Sequence, residues 1–264
     1  MDGVFDELLP LFSRRDAMLG ELRGEPISKS ALVSSLDISR STVDRAMREL
    51  ADHDLVERTG QGWVLTLAGE LLVEEYENFR RRVAGIERAH PLLSSLPPNV
   101  GLAPSALAGA EVVMADRTAP YRPAEAYLDL LRSSDRAWLL NTALTEQYVE
   151  ELEQLAVAGD PDLDVACADC VVERLIAEHR EVLDTALKSG TVTMRELDDD
   201  LPFSQGVFEI DGERRLAVLV YVDDGLKGAI VNDDPAAVAW GESFFTEHWE
   251  AADPIPTPPA TEDR

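Results

Sequence analysis

The sequence has very few lysines and cysteines, and no apolar segment long enough to cross a membrane. Three of its 264 residues are lysines and two are cysteines. Two cysteines cannot supply the four ligands of a structural zinc site. The densest apolar stretch, Leu216 to Val222, is far shorter than the roughly 18 residues of a membrane helix. The first residues, MDGVFDELLP, are acidic and lack the basic segment of a signal peptide, so we expect a cytoplasmic protein without a membrane span.

Acidic side chains dominate the charge. The chain has 51 Asp and Glu against 24 Lys and Arg, a formal charge of −27. An acidic excess with scarce lysine is similar to proteins of salt-in halophiles, since molar salt screens the self-repulsion; an ordinary acidic mesophile protein is the alternative. Residues 1–90 carry 12 basic and 17 acidic groups, and residues 91–264 carry 12 and 34. The first third is therefore much less acidic, which indicates two modules with different partners.

Three short helices are predicted at the N-terminus. The first covers Val4–Arg15, the second starts at the capping residue Ser28 and ends near Leu36, and Ser39 caps the third. One face of the first helix carries apolar residues, namely Val4, Leu8, Leu11 and Phe12. The third helix has an apolar stripe at i, i+3, i+4 and i+7, formed by Val43, Ala46, Met47 and Leu50.

A β-hairpin and a long helix follow. Strands are predicted at Leu55–Thr59 and Trp63–Thr66, on either side of a Gly-Gln-Gly turn. This order predicts a winged helix-turn-helix DNA-binding domain over residues 1–68. A helix over residues 69–90 carries an apolar stripe spaced four, three, four and three residues apart, close to the period of about 3.5 residues of a coiled-coil seam. We predict that this stripe joins two chains, with packing inside one domain as the alternative; it contains Leu72, Tyr76, Phe79, Val83 and Ile86.

The rest of the chain alternates strand and helix patterns. Residues 91–110 are rich in Pro, Ser and Gly and are predicted to be an irregular linker. Residues 111–252 predict an α/β domain with a partly parallel sheet followed by a β-meander, so the fold class is α+β. The predicted helices are Pro123–Ser133, Thr145–Ala158, Cys170–Ser189 and one from Asp234-Pro235 with Trp240, Phe244 and Trp249 in the core. The predicted strands are Ala137–Thr142, Leu163–Ala168, Val192–Leu197, Val207–Ile210, Arg215–Val222 and Gly228–Asn232. Residues 253–264 are predicted to be a disordered tail.

The helix that Ser39 caps is the predicted recognition helix. A recognition helix lies in the major groove with its N-terminal residues at the base edges, and arginine can bond guanine twice. Arg45, Ser41 and Thr42 are predicted to contact bases, and Arg40 and Arg48 to contact phosphates. Lys29, Arg58 and Gln61 complete the predicted contacts with double-stranded DNA.

Residues 1–90 resemble archaeal winged-helix transcription regulators through SRSTVDRAMREL and LVERTGQGWVLTLAGE. Residues from about 110 to 252 are similar to the effector-like domain of a group of archaeal regulators, one of which controls methanogenesis and filament growth. The similar features are the Pro120–Leu131 helix, GVFEIDGE and AAVAWGESFFTEHW. The resemblance implies a DNA-binding regulator of a halophilic archaeon, and the apolar stripe of the long helix predicts that it acts as a homodimer. The resemblance implies no enzyme activity and names no effector, and no cofactor is predicted.

Two other functions are open at this point. Cys167 and Cys170 form a C-x-x-C at a strand end before a helix, where a redox pair could sense oxidants, although two buried structural residues explain it as well. A ligand-binding or enzymatic domain with a protein-interaction winged helix is the other alternative. No histidine has a lysine two residues later, as phospholipase D-like catalysis needs, and G-x-S-x-G is absent. The acidic run Asp198 to Asp200 could hold a cation, but it is more typical of a solvated loop, so no metal site is predicted.

A small-molecule effector is predicted to bind at the carboxyl ends of the sheet strands, as in other open α/β sheets. The residues expected there are Asn141, Thr142 and Asp169, with Ser204 and Gln205 from a later segment.

Overall fold

The computed structural model describes residues 2–198, 201–222 and 225–255, with side chains from Asp6 onward. The chain forms two compact units, which meet in sequence between Arg81 and Arg82. Some of the predictions fall outside what is described. They concern the side chain of Val4, the residues Asp199 and Asp200, and residues 256–264.

The N-terminal unit contains the predicted order of helices and strands. It is built from α1 (Asp2–Glu21), α2 (Lys29–Leu36), α3 (Arg40–Asp52), the strands β1 (Val56–Arg58) and β2 (Trp63–Leu65), and the start of α4 (Leu67–Leu93). The predicted α+β class is confirmed by this unit together with the mixed sheet of the second unit.

Serine caps fix the starts of α2 and α3. The Ser28 side chain accepts a hydrogen bond from the Ala31 amide, and the Ser39 side chain accepts one from the Thr42 amide. Between the two helices Asp37 has a φ of 52°, a left-handed conformation that ends α2. The predicted stripe of α3, from Val43 to Leu50, is buried in the core of this unit with Leu11, Phe12, Leu19 and Leu32.

The hairpin is tied to the segment before α2. Ile27 and Trp63 exchange two backbone hydrogen bonds of 2.9 and 2.8 Å. Gly62 makes this approach possible, because a Cβ at that position would lie 2.5 Å from the Ile27 carbonyl oxygen. The hairpin thus has a fixed position beside α2 and α3.

The C-terminal unit is an eight-stranded sheet with helices on both faces. Its helices are the end of α4, α5 (Pro104–Leu107), α6 (Arg122–Ser133), α7 (Glu146–Ala158), α8 (Asp169–Glu178), α9 (Arg180–Ser189) and α10 (Pro235–Ala251). Its strands are β3 (Glu111–Met114), β4 (Arg136–Asn141), β5 (Asp162–Ala168), β6 (Val192–Leu197), β7 (Phe203–Ile210), β8 (Glu213–Val222), β9 (Gly225–Asn232) and β10 (Asp253–Pro254).

The sheet order is β10-β6-β5-β4-β7-β8-β9-β3. Strands β4, β5 and β6 are parallel, and β7, β8 and β9 form an antiparallel meander beside β4, as the sequence predicts. Side chains from α6 to α9 cover one face of the sheet, and side chains from α4, α5 and α10 cover the other. Phe244 is buried in the second layer, whereas Trp240 and Trp249 are only partly buried against it.

Several predicted boundaries were wrong. Helix α4 continues through Pro91 to Leu93, and the predicted irregular linker contributes Leu92 and Leu107 to the core. Burial of these apolar side chains outweighs the helix-breaking tendency of proline. The predicted helix Cys170–Ser189 is two helices, because the backbone turns at His179 with a φ of −133°. Strand β3 was not predicted, and Asp253–Pro254 pairs with β6 although the tail was predicted to be disordered.

Candidate nucleic-acid interface and ligand pocket

Helix α3 presents its basic side chains away from the core of its unit. Arg40, Ser41, Arg45 and Arg48 are exposed, and Thr42 is half-buried. Because the apolar stripe of α3 is anchored in the core, the rotation of the helix about its axis is fixed. The predicted base-contacting and phosphate-contacting arginines therefore share one solvent-facing surface.

Arg45 is oriented by a chain of charged side chains. Its Nε lies 3.1 Å from Oε1 of Glu49, and the other oxygen of Glu49 lies 2.7 Å from a terminal guanidinium nitrogen of Arg15. The hydrogen bond from Arg15, together with the one from Arg45, keeps the pKa of Glu49 below its usual value. The Arg45 side chain is still 76% exposed, so its terminal nitrogens can reach a partner outside the protein.

The hydroxyl groups at the start of α3 form a small cluster. Ser39 Oγ lies 2.8 Å from both Ser41 Oγ and Thr42 Oγ1. The same oxygen caps the helix by accepting from the Thr42 amide at 3.2 Å. Thr42 is thereby held by the cap, and Ser41 is the more exposed of the two hydroxyl-bearing residues that are predicted to contact bases.

Lys29 has an internal role that the sequence did not indicate. Its Nζ lies 2.5 Å from Oδ1 of Asp44 on α3 and 5.5 Å from the ring centre of Trp63 in the hairpin. The hydrogen bond from Lys29 holds the pKa of Asp44 down, with smaller contributions from Arg40 and Arg48. Lys29 thus joins α2, α3 and the hairpin while neutralising a carboxylate beside the arginines.

The tip of the hairpin is closed by Thr59. Its amide donates to the Gly62 carbonyl at 2.7 Å, and its hydroxyl accepts from the Gln61 and Gly62 amides at 3.2 Å each. Arg58 and Gln61, the predicted contacts of the wing, are both exposed. Gln61 therefore stands at the tip of an ordered turn.

The predicted seam on α4 divides into exposed and internal positions. Phe79 is 50% exposed and Val83 is 46% exposed, with Leu72 and Ile86 also on the surface. Tyr76 is half-buried, and its ring centre lies 5.4 Å from that of Phe12. Four of the five predicted positions are therefore free to meet another surface, whereas Tyr76 packs within its own unit.

A row of polar side chains crosses the sheet at the carboxyl end of the parallel strands. Asn141 pairs with Cys167 on β5, and the adjacent pair Leu140–Gln205 sets Asn141 beside Ser204 on β7. All three side chains are at least nine-tenths buried. Asn141 Nδ2 donates to the Tyr148 hydroxyl at 2.7 Å, and Ser204 Oγ accepts from the Thr142 amide at 3.0 Å. Three predicted ligand residues, Asn141, Thr142 and Ser204, therefore lie together.

The other two predicted ligand residues have different hydrogen-bond partners. Gln205 faces the opposite side of the sheet, because neighbouring strand residues alternate, and its amide donates to the Gly241 carbonyl at 3.0 Å. Asp169 is the first residue of α8, and its Oδ1 lies 2.5 Å from the Cys170 amide nitrogen. The prediction that Gln205 joins Asn141 and Ser204 is therefore wrong, because the pleat of β7 places Gln205 on the other face of the sheet from Ser204.

The two cysteines have different surroundings. Cys167 is buried in the row described above, and Cys170 is exposed near the start of α8. Burial raises the pKa of the Cys167 thiol to about 12. A thiol of such a high pKa is a poor nucleophile at neutral pH, which does not favour a reactive redox pair.

Alkylation should distinguish the two thiols. At pH 8 in molar potassium chloride, iodoacetamide should modify Cys170 and leave Cys167 unmodified, because burial raises the pKa of the Cys167 thiol and keeps the reagent away from it. Peptide mass mapping reads both sites, and the same reaction in urea should modify both. Rapid modification of Cys167 in the native protein would contradict its burial.

Within the described ranges, one group of side chains has a donor set that could suit a metal ion. The ligand atoms of Glu146, Glu178 and His179 lie within 4.8 Å of one another. Arg174 already bonds both carboxylates, at 3.3 Å to Glu146 and 2.9 Å to Glu178. The positive charge of Arg174 occupies the position in which a cation would be attracted.

Over the same described ranges, no helix has the length and apolar character that a membrane crossing requires.

The sequence relationships agree with these two units. Residues 120–251 match the family model described as methanogenesis regulatory protein FilR1, middle domain, and residues 7–88 match one described as HVO_A0261 N-terminal domain. The first match covers half of the chain, so the protein belongs to the FilR1 regulator family, which confirms the resemblance found in the sequence. No curated protein matches the chain.

Three solved structures are loosely similar. The archaeal chromatin protein TrmBL2 shares 14% identity at a TM-score of 0.43, over 95% of this chain and 99% of that chain. The phospholipase D family member Nuc from Salmonella typhimurium shares 8% at 0.42, over 55% and 97%. Polyphosphate kinase from Porphyromonas gingivalis shares 14% at 0.40, over 66% and 27%. Likenesses at these TM-scores assign no function.

Proposed function

We propose that this protein is a sequence-specific, double-stranded-DNA-binding transcription regulator of a halophilic archaeon, and that it acts as a homodimer. Its membership of the FilR1 regulator family supports the regulatory part of the proposal. The observation that carries DNA binding is the exposed arginine surface of α3, with the helix anchored by its apolar stripe and Arg45 oriented through Glu49 and Arg15.

The two kinds of basic residue support different roles in this interface. Arg45 is exposed and lies in the N-terminal half of α3, the part of a recognition helix that meets base edges. Its guanidinium can donate hydrogen bonds to O6 and N7 of one guanine at the same time. Arg40 and Arg48 lie one turn to either side of Asp44, where they suit phosphates. Lys29 is engaged with Asp44, so its contribution to DNA binding is to hold α2 and α3 together.

The acidic composition supports the part of the proposal that places the protein in a cell with a high internal salt concentration. A protein with a formal charge of −27 is repelled by DNA, and its phosphate contacts weaken steeply as salt rises. Hydrogen bonds at base edges are short-range and survive screening better than long-range attraction does. A few arginines on one helix are therefore a more effective DNA-binding device in molar salt than a broad lysine surface.

The exposed apolar positions on α4 support the homodimer. Leu72, Phe79, Val83 and Ile86 recur at helical spacing and are each more than a third exposed. Two copies of the stripe would bury these side chains, and a two-fold pair of recognition helices would read two half-sites of a near-palindrome.

Selection from random double-stranded DNA tests the proposal. The full chain, in about 2 M potassium chloride, should enrich a near-palindromic sequence with guanine in each half-site. The control is the triple variant Arg40→Ala, Arg45→Ala, Arg48→Ala, which leaves the buried stripe of α3 intact and should enrich nothing. Failure of the wild-type chain to enrich any sequence would overturn DNA recognition.

A further inference from the structure

A surface pocket lies beside the polar row of the C-terminal unit. Its volume is about 510 Å³, enough for a small metabolite. It opens where β4 and β8 end and just before β7 begins. Its lining contains no charged residue among the described ones and consists of Ser95, Thr142, Ala143, Leu201, Pro202, Tyr221 and Val222.

Lys227 lies at an irregularity of the sheet and contacts one lining residue of this pocket, Ser95. Val220 pairs with Gly228 but Tyr221 pairs with Leu226, so Lys227 is the extra residue of a β-bulge. The Lys227 carbonyl accepts a hydrogen bond from the Ala115 amide at 3.0 Å, which holds the bulge to the residue after β3. The Lys227 Nζ donates to the hydroxyl of Ser95, one of the lining residues.

The surroundings of Lys227 differ from those of the other two lysines. Lys29 is paired with Asp44, and Lys188 is exposed to solvent on α9. Lys227 is partly buried, and among the described residues its partner is the neutral Ser95 rather than a carboxylate. A partly buried ammonium beside a neutral hydroxyl gains from an anion that approaches through the pocket.

Two further hydroxyl-bearing residues, Thr142 and Tyr221, line the pocket. Thr142 Oγ1 lies 3.2 Å from Ser204 Oγ, and Tyr221 is a second lining residue with a hydroxyl group. Burial raises the pKa of Tyr221, so its hydroxyl stays protonated and can donate a hydrogen bond. Thr142 and Tyr221 thus add neutral hydroxyl groups to the charge of Lys227.

We propose that this pocket binds a small molecule that carries a carboxylate or phosphate group, with the anionic group against Lys227 and Ser95 and the rest of the molecule against Thr142 and Tyr221. Such a ligand is the effector class of the regulator. The proposal rests on the C-terminal unit alone and does not depend on DNA binding by α3.

Binding of inorganic phosphate and of acetate to the full chain tests the proposal. Isothermal titration at constant potassium concentration, with chloride replaced by the probe anion, should show saturable binding of at least one probe. Lys227→Gln should weaken that binding roughly tenfold or more, because it removes a charged hydrogen-bond donor. Lys227→Arg should retain most of it, and circular dichroism should show that both variants are folded.

A matched control separates a site from general charge effects. Lys188→Gln removes the same charge from an exposed position of the same unit and should bind the probe as the wild type does. Binding by phosphate alone or by acetate alone supports the site and tells which anionic group it accepts. Equal binding by wild type and Lys227→Gln, equal losses in both glutamine variants, or no binding of either probe to the wild type would overturn the proposal.

Discussion

Replacing Arg45 by alanine should weaken binding to the operator by about 1–3 kcal/mol and relax the preference at the base pair it contacts. The side chain is 76% exposed and oriented by Glu49, so its removal deletes the proposed base contact without opening the core. The measurement is a titration of the operator, and of operators with each base pair changed, in molar potassium chloride. The mutant should bind the correct and altered sequences more equally than the wild type does.

Arg48→Ala is the matched comparison for this prediction. It removes the same side chain from an exposed position three residues later on the same helix. Because Arg48 is assigned to a phosphate, this variant should weaken all sequences about equally and reduce the salt dependence. If both variants keep wild-type affinity, α3 does not enter the groove, and the exposed arginines are a solvated surface.

Replacing Phe79 by glutamate should dissociate the homodimer that we propose. In a free chain the side chain is half exposed, so a carboxylate there meets water and costs little. In a symmetric pair it would place one charge from each chain into an apolar contact, and we expect the dimer Kd to rise by roughly tenfold or more. Light scattering over a concentration series measures the change, while circular dichroism confirms that the monomer is folded.

Val157→Glu provides the control for Phe79→Glu. Val157 is 73% exposed on α7, so the same kind of substitution is made on a different helix. Its variant should remain a dimer. Dissociation by Val157→Glu, with a stable Phe79→Glu dimer, would move the contact between chains to the C-terminal unit and leave the α4 stripe without this role. Tyr76 is unsuitable for such a test, because it packs against Phe12 and its loss would disturb the unit itself.

The N-terminal unit was more predictable than the C-terminal one because its signals are local. Ser28 and Ser39 act on amides three residues away, and the stripe of α3 follows from the helical period. The role of Lys29 was not predictable, because Asp44 lies fifteen residues further along the chain. The contact of Arg45 with Glu49 could be predicted from their spacing of four residues on one helix. The contact of Glu49 with Arg15 could not, because it depends on how α1 packs against α3.

The C-terminal unit depends on pairings between distant segments. The continuation of α4 through Pro91 is explained by burial of Leu92 in a core that the local sequence does not describe. The row of Asn141 and Ser204 was predicted from strand ends, yet Gln205 fell on the wrong face because its strand begins earlier, at Phe203. The bulge at Lys227 arises from the register of β8 with β9, which no single strand pattern specifies.

The two borders of the large sheet limit how chains can associate. One border is β10, the two residues Asp253 and Pro254, and the other is β3, only four residues long. Proline offers no amide hydrogen, and so short a border exposes few unpaired backbone groups to a neighbouring molecule. At high protein concentration β10 and β3 themselves therefore offer little backbone with which chains could extend one another's sheets into fibres.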